Sequence, residues 1–151
     1  MSKKQSLIRW YRMQIHDLSL RLEDAGFNGL NAELIEELEE SRSRLVYLLN
    51  LILFNDEAQG EPPKRITRTT KPMQAMPAYD FMAYFDRLKA AETDEARQVV
   101  RQEKQDYVAS LSETEKQQFK EAYEQFMKSE IERFRRMADQ AEEMFGVKRA
   151  A

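Results

Sequence analysis

Cysteine is absent from this 151-residue chain. That excludes disulfides, thiol nucleophiles and zinc sites built on sulfur, and it fits a reducing compartment such as the cytoplasm. His16 is the single histidine, so no pair of imidazoles is available for a metal, and the Glu-x-x-His pairs of di-iron bundles do not occur. A lone imidazole could serve as a general base, but no nucleophile accompanies it. A surface or half-buried position is expected for His16. Glycine and proline number four each. The two closest glycines, Gly26 and Gly29, lack the lysine of a phosphate-binding loop. Neither catalytic residues nor a cofactor nor a metal site is therefore expected, and the chain does not read as an enzyme.

Long hydrophobic runs are also missing. The longest, residues 45–54, has Asn50 as its one polar member and is about half of the roughly 20 residues that cross a bilayer. Lys3, Lys4 and Arg9 surround only Leu7 and Ile8 near the start, so no signal peptide is expected. No membrane association is predicted.

What remains is helix-forming. Charged residues make up 34% of the chain and hydrophobic residues 42%, with Ala, Leu, Glu, Lys, Gln and Arg prominent, which favours helix. The reading is an all-α helical bundle. It comprises an N-terminal antiparallel helical hairpin (residues 1–58), a Pro-rich basic linker (59–77) and a C-terminal helical region (78–151) that packs on the hairpin. The C-terminal region is expected to hold two short helices and one long one.

The first helix is expected over about residues 6–25. Its seam is Ile8, Tyr11, Ile15, Leu18 and Leu22, which step by three and four. Leu7 and Trp10 broaden that face, so the Arg9-Trp10-Tyr11-Arg12 interleaving reads as packing rather than as a base-stacking platform. Gly26 suits the left-handed position that ends a helix. Asn28-Gly29 is turn chemistry. Asn31 can cap the second helix, which runs to about residue 56. In that helix Leu34, Leu38, Ser41, Leu45, Leu48 and Ile52 recur at helical spacing, which carries the helical pattern into the apolar run. A run apolar on every side must be covered on several sides.

A helix near Pro77 is expected next, with Phe81, Met82, Phe85 and Leu88 as its stripe and Tyr79 and Tyr84 adding aromatic surface. Thr93 can cap a helix whose thin apolar face is Ala96, Val99, Val100, Tyr107 and Val108. Ser112 and Glu115 fit a capping box at the start of a long helix that ends near Phe145. Its stripe is Phe119, Tyr123, Phe126, Met127, Ile131, Phe134, Ala138, Ala141 and Phe145. Residues 111–123 look like the opening helix of calmodulin-type EF-hands. The acidic, glycine-containing calcium loop does not follow, so the segment reads as a capped amphipathic helix.

Charge is uneven along a chain whose net charge is −3. Residues 31–61 carry net −6, and residues 62–77 carry net +4 with no acidic residue. The pairs Glu33/Glu37 and Glu36/Glu40 are read as a solvated acidic face rather than a cation site. Lys64, Arg65, Arg68 and Lys71 could contact nucleic-acid phosphates or an acidic partner. The leading expectation is a non-catalytic interaction protein, meaning a regulator, adaptor or assembly subunit. It would present Leu49, Ile52, Phe54, Tyr79, Phe81, Tyr84 and Phe85 to another protein or to a second copy of itself. The alternative is a nucleic-acid-associated accessory protein that uses the basic linker.

Overall fold

The computed structural model of the chain describes residues 2–54 and 79–145. These form five α-helices and no strand: α1 (Lys3–Phe27), α2 (Ala32–Phe54), α3 (Phe81–Ala90), α4 (Asp94–Ala109) and α5 (Glu113–Phe145). The fold is all-α, as composition and periodicity predict. The described residues divide into two compact units. One contains α1, α2 and residues 130–145 of α5. The other contains α3, α4 and residues 113–129 of α5. Among the described residues the division falls inside the long helix, between residues 129 and 130.

The helix ends follow local chemistry. Ser2 and Gln5 form a capping box ahead of α1, which starts three residues earlier than the apolar spacing alone suggests. Gly26 lies within α1. The left-handed residue is Gly29, at φ 64°, and the Leu30 amide donates to the Ala25 carbonyl across it at 3.1 Å. That bond is the signature of a Schellman-type stop, so the helix continues past Gly26 until the next glycine ends it. Asn31 Oδ1 accepts from the Glu33 amide at 2.9 Å and opens α2.

Pro77 lies outside the described residues. The cap of α3 is Asp80, whose Oδ1 accepts from the Ala83 amide at 2.9 Å. Residues 79 and 80 are not helical, because an N-cap needs a non-helical backbone. Thr93 caps α4 through a 3.1 Å bond from the Ala96 amide. Ser112 and Glu115 make both bonds of the predicted capping box, at 3.2 and 3.1 Å.

In the first unit α1 and α2 pack against each other. Leu38, Leu45, Leu48 and Ile52 of α2 are fully buried and Ser41 nearly so, so the predicted seam is the buried one from Leu38 onward, with Leu34 half-buried at its start. Burying each large side chain is worth roughly 1.5–3 kcal/mol before opposing entropy. Asn50 is exposed, so it faces away from that interior. The α1 face is turned from the predicted one. Leu7, Tyr11, Leu18, Arg21 and Ala25 are buried, while Ile8, Ile15 and Leu22 are half-buried. An apolar template misses this because one of its central members is an arginine. Trp10 lies edge-on to Tyr11, with ring centroids 4.9 Å apart.

The second unit is built on aromatic rings. Phe81 sits 5.3 Å from both Phe119 and Phe126 and 5.7 Å from Tyr123. Phe85 stacks on Phe126 at 5.8 Å. Tyr79 lies 5.1 Å from Tyr107 and 5.4 Å from Phe119. The buried face of α3 is Phe81, Tyr84, Phe85 and Leu88, with Met82 half-buried. In α4, Val99 is exposed, and the buried positions are Val100 and Lys104. The Lys104 ammonium stands 4.5 Å above the Tyr84 ring and 4.8 Å from the Tyr123 ring. Two electron-rich ring faces make burial of a lysine tolerable there.

Candidate functional site

The residues that sequence reasoning selected for partner contact fall in three places. Leu49 and Ile52 are buried in the first unit. Phe81, Tyr84 and Phe85 are buried in the second, with Tyr79 half-buried beside them. These side chains satisfy one another across three helices, so they build the interior rather than present a surface. Phe54 is the exception, with 87% of its surface exposed. Lys64, Arg65, Arg68 and Lys71 lie outside the described residues. His16 is exposed on α1.

The expectation that the 45–54 run is covered on several sides meets a correction at α2. Tyr47 is 57% exposed, and Leu53 is also exposed. Together with Phe54 they lie on the side of α2 away from the α1 seam. At 100° per residue, the positions Glu36, Glu40, Ser43, Tyr47, Asn50 and Phe54 fall on one line, roughly 160° round the helix from the buried seam. All six are exposed. Glu39, also exposed, borders the line at its acidic end. The row therefore has two halves: carboxylates toward the N-terminus of α2 and large apolar rings toward its C-terminus. Acidic side chains near a helix N-terminus are favoured by the helix dipole, which accounts for the placement of the acidic half. Nothing comparable accounts for two exposed rings a heptad apart.

Two ion networks hold α2 and α1 in place so that this row points outward. Arg44 of α2 donates through Nε to Glu142 Oε1 at 2.6 Å and through Nη2 to Glu142 Oε2 at 2.9 Å, and it also pairs with Asp139. The Glu142 hydrogen bonds hold the Arg44 guanidinium above its ordinary range, against the opposing effect of burial, and Asp139 adds to them. On α1, Arg21 donates through Nη2 to Glu130 Oε1 at 2.7 Å and through Nε to the same oxygen at 3.0 Å. Its Nη1 reaches Asp17 Oδ1 at 3.1 Å. Arg133 donates to the other oxygen, Glu130 Oε2, at 3.1 Å. The guanidinium groups of Arg21 and Arg133 lie 5.8 and 4.4 Å from the Phe134 ring centroid. Both networks tie the hairpin helices to residues 130–145 of α5.

Sequence reasoning missed Tyr47 and Leu53 because it chose Leu49, Ile52 and Phe54 as the outward members of the 45–54 run. The signal was available: Tyr47 and Phe54 are seven residues apart and off the 38-41-45-48-52 line. It also missed Arg21, Glu130 and Lys104, for which an apolar period carries no signal.

Among the described residues no group of three or more His, Asp or Glu side chains is arranged to hold a metal ion. None of the described helices is long and apolar enough to cross a membrane. The outward line of α2 is a ridge with an acidic end and an apolar end. Searches against protein-family models, curated proteins and solved structures find no match to this chain.

Proposed function

We propose that this chain is a non-catalytic interaction protein, a regulator, adaptor or assembly subunit, and that its docking surface is the outward face of α2. The observation that carries the reading is the pair Tyr47 and Phe54, 57% and 87% exposed on one line of a helix whose opposite face is fully buried. Aromatic rings lose little side-chain entropy when they are covered and bury large areas, which is why they anchor protein interfaces. The mode is helix packing, with anchors read at a spacing of seven. A cytoplasmic setting belongs to the same reading, supported by the lack of cysteine.

The test compares two kinds of substitution on one helix. Tyr47→Asp with Phe54→Asp is expected to leave far-UV circular dichroism and melting nearly unchanged, since exposed positions shift stability by about 0.5 kcal/mol or less. The same pair is expected to abolish crosslinked complexes formed in the native host. Ile52→Asp, which buries an unpaired carboxylate, is expected to lose the fold itself. Undiminished complexes with the Tyr47/Phe54 variant would refute the docking surface.

A second reading rests on the basic run in residues 62–77, which has four cations and no acid. Under it the chain is a nucleic-acid accessory protein. Binding would weaken steeply with salt and fall when Lys64, Arg65, Arg68 and Lys71 are changed to Ala. Equal binding by that quadruple variant would dismiss it.

A further inference from the structure

We infer that the partner of the α2 ridge is an amphipathic helix from a different protein, basic over the turns that face Glu36 and Glu39 and apolar over the turns that face Tyr47 and Phe54. This inference rests on the docking reading above and adds the chemistry of the occupant.

The argument is one of complementarity along a line. Glu36 and Phe54 are eighteen residues apart, which is about 27 Å of helix. Over that length the surface changes from anionic to aromatic, with Ser43 between the two halves. An occupant that covers the whole ridge must neutralise one end and bury the other. A cation opposite Glu36 and Glu39 gains from their charge and from nothing at the far end. An apolar residue opposite Tyr47 and Phe54 gains area only there. A helix with one kind of side chain throughout matches half the ridge and is penalised at the other half.

The same geometry argues against a second copy of this chain over the full ridge. In a parallel, in-register pair Glu36 and Glu39 would face their own copies, and like charges at that spacing repel. In an antiparallel pair centred on residue 45, Glu36 would face Phe54 and Ser43 would face Tyr47. That arrangement covers a carboxylate with a ring and supplies no partner for its charge. A foreign helix has neither defect. Two apolar residues seven apart on it would bracket Tyr47 and Phe54 at the spacing that heptad packing uses.

The experiment uses the full chain and a fluorescent 18-residue Ala-based helical peptide. Its first two turns carry Lys and Arg on one face, and its last two carry Leu at positions seven apart. A control peptide replaces each Lys and Arg by Glu. Anisotropy titrations are expected to show binding of the first peptide and much weaker binding of the control. Glu36→Lys with Glu39→Lys is expected to weaken the basic peptide roughly tenfold, the range that reversing two exposed ion pairs spans, and to strengthen the acidic control. Tyr47→Asp with Phe54→Asp is expected to remove binding of both.

Loss with the Tyr47/Phe54 pair but indifference to the Glu36/Glu39 pair would overturn the partner class and leave the docking face standing. Indifference to all four substitutions, with binding intact, would overturn both. No binding of the basic peptide up to its solubility limit would overturn the partner class, while the crosslinking comparison judges the docking face separately. A concentration-dependent dimer by light scattering that Phe54→Asp abolishes would overturn it in favour of a second copy.

Discussion

Removing the Glu130 carboxylate should be among the most damaging single substitutions in the first unit. Glu130 is fully buried, and the Arg21 side chain beside it is 1% exposed. Arg21 directs two donors to one Glu130 oxygen, at 2.7 and 3.0 Å. In Glu130→Ala the guanidinium of Arg21 stays in the interior without that carboxylate. Breaking one side of such a pair costs about 3–5 kcal/mol. For a chain of this size each kcal/mol moves the melting midpoint by roughly 2–4 °C, so the midpoint should fall by roughly 6–20 °C. Arg21→Met should be costly in turn, because it takes two donors away from the buried Glu130 carboxylate. The double variant Arg21→Met/Glu130→Met removes both charges and keeps the volume. It should be far less destabilised than the sum of the singles, since well-packed apolar replacements of buried ion pairs are often neutral. Urea unfolding followed by circular dichroism measures all three. A Glu130→Ala cost below about 1 kcal/mol, or strict additivity in the cycle, would refute the assignment of this pair as a buried, mutually dependent unit.

Burial pushes the Tyr11 phenol above its usual range, so the folded chain holds that proton more tightly than the unfolded one. The resulting stability is complete below the ordinary tyrosine value of about 10 and falls as the pH rises past it. Tyr11→Phe should remove that alkaline loss, and melting curves of the two proteins above and below this value would show the difference closing or not. Lys104→Ala should destabilise the second unit by about 1–2 kcal/mol through loss of its contacts with Tyr84 and Tyr123, whereas Val99→Ala on the exposed side of α4 should change little. Ser112→Ala removes an acceptor for the Glu115 amide and should cost about 1 kcal/mol, measured by urea titration. In the same cap the backbone and hydroxyl of Ser112 hold the Glu115 carboxyl below its usual range, so the Ser112→Ala difference should shrink as the pH is lowered through the carboxylate range.

Local signals explain much of the architecture. The caps at Asn31, Thr93 and Ser112 act over two or three residues, and each sits where its side chain can accept from a nearby amide, so sequence alone suffices to place them. The α2 seam was legible for a related reason: its buried positions form one stripe, and a single stripe has a period. The α1 face was not, because its buried arc includes Arg21, whose burial depends on Glu130, 109 residues away. No local pattern reports a partner at that distance. The candidate ridge on α2 was only half legible. Its residues stand in plain helical register, but a run of apolar residues does not state which side a neighbour will cover.

The sequence by itself determined the class of the fold, the caps at Asn31, Thr93 and Ser112 and most of the seam of α2, because these depend on backbone capping and on periodicity within a few turns. Tertiary structure decided which apolar side chains became interior and which became surface. It placed the Tyr79–Phe85 aromatics against rings of α4 and α5, and it left Tyr47 and Phe54 in solvent. It also decided that charged residues such as Arg21, Glu130 and Lys104 belong inside. Each is tolerable there only because a counter-charge or a ring face from another helix meets it, and that meeting exists only after the chain has folded.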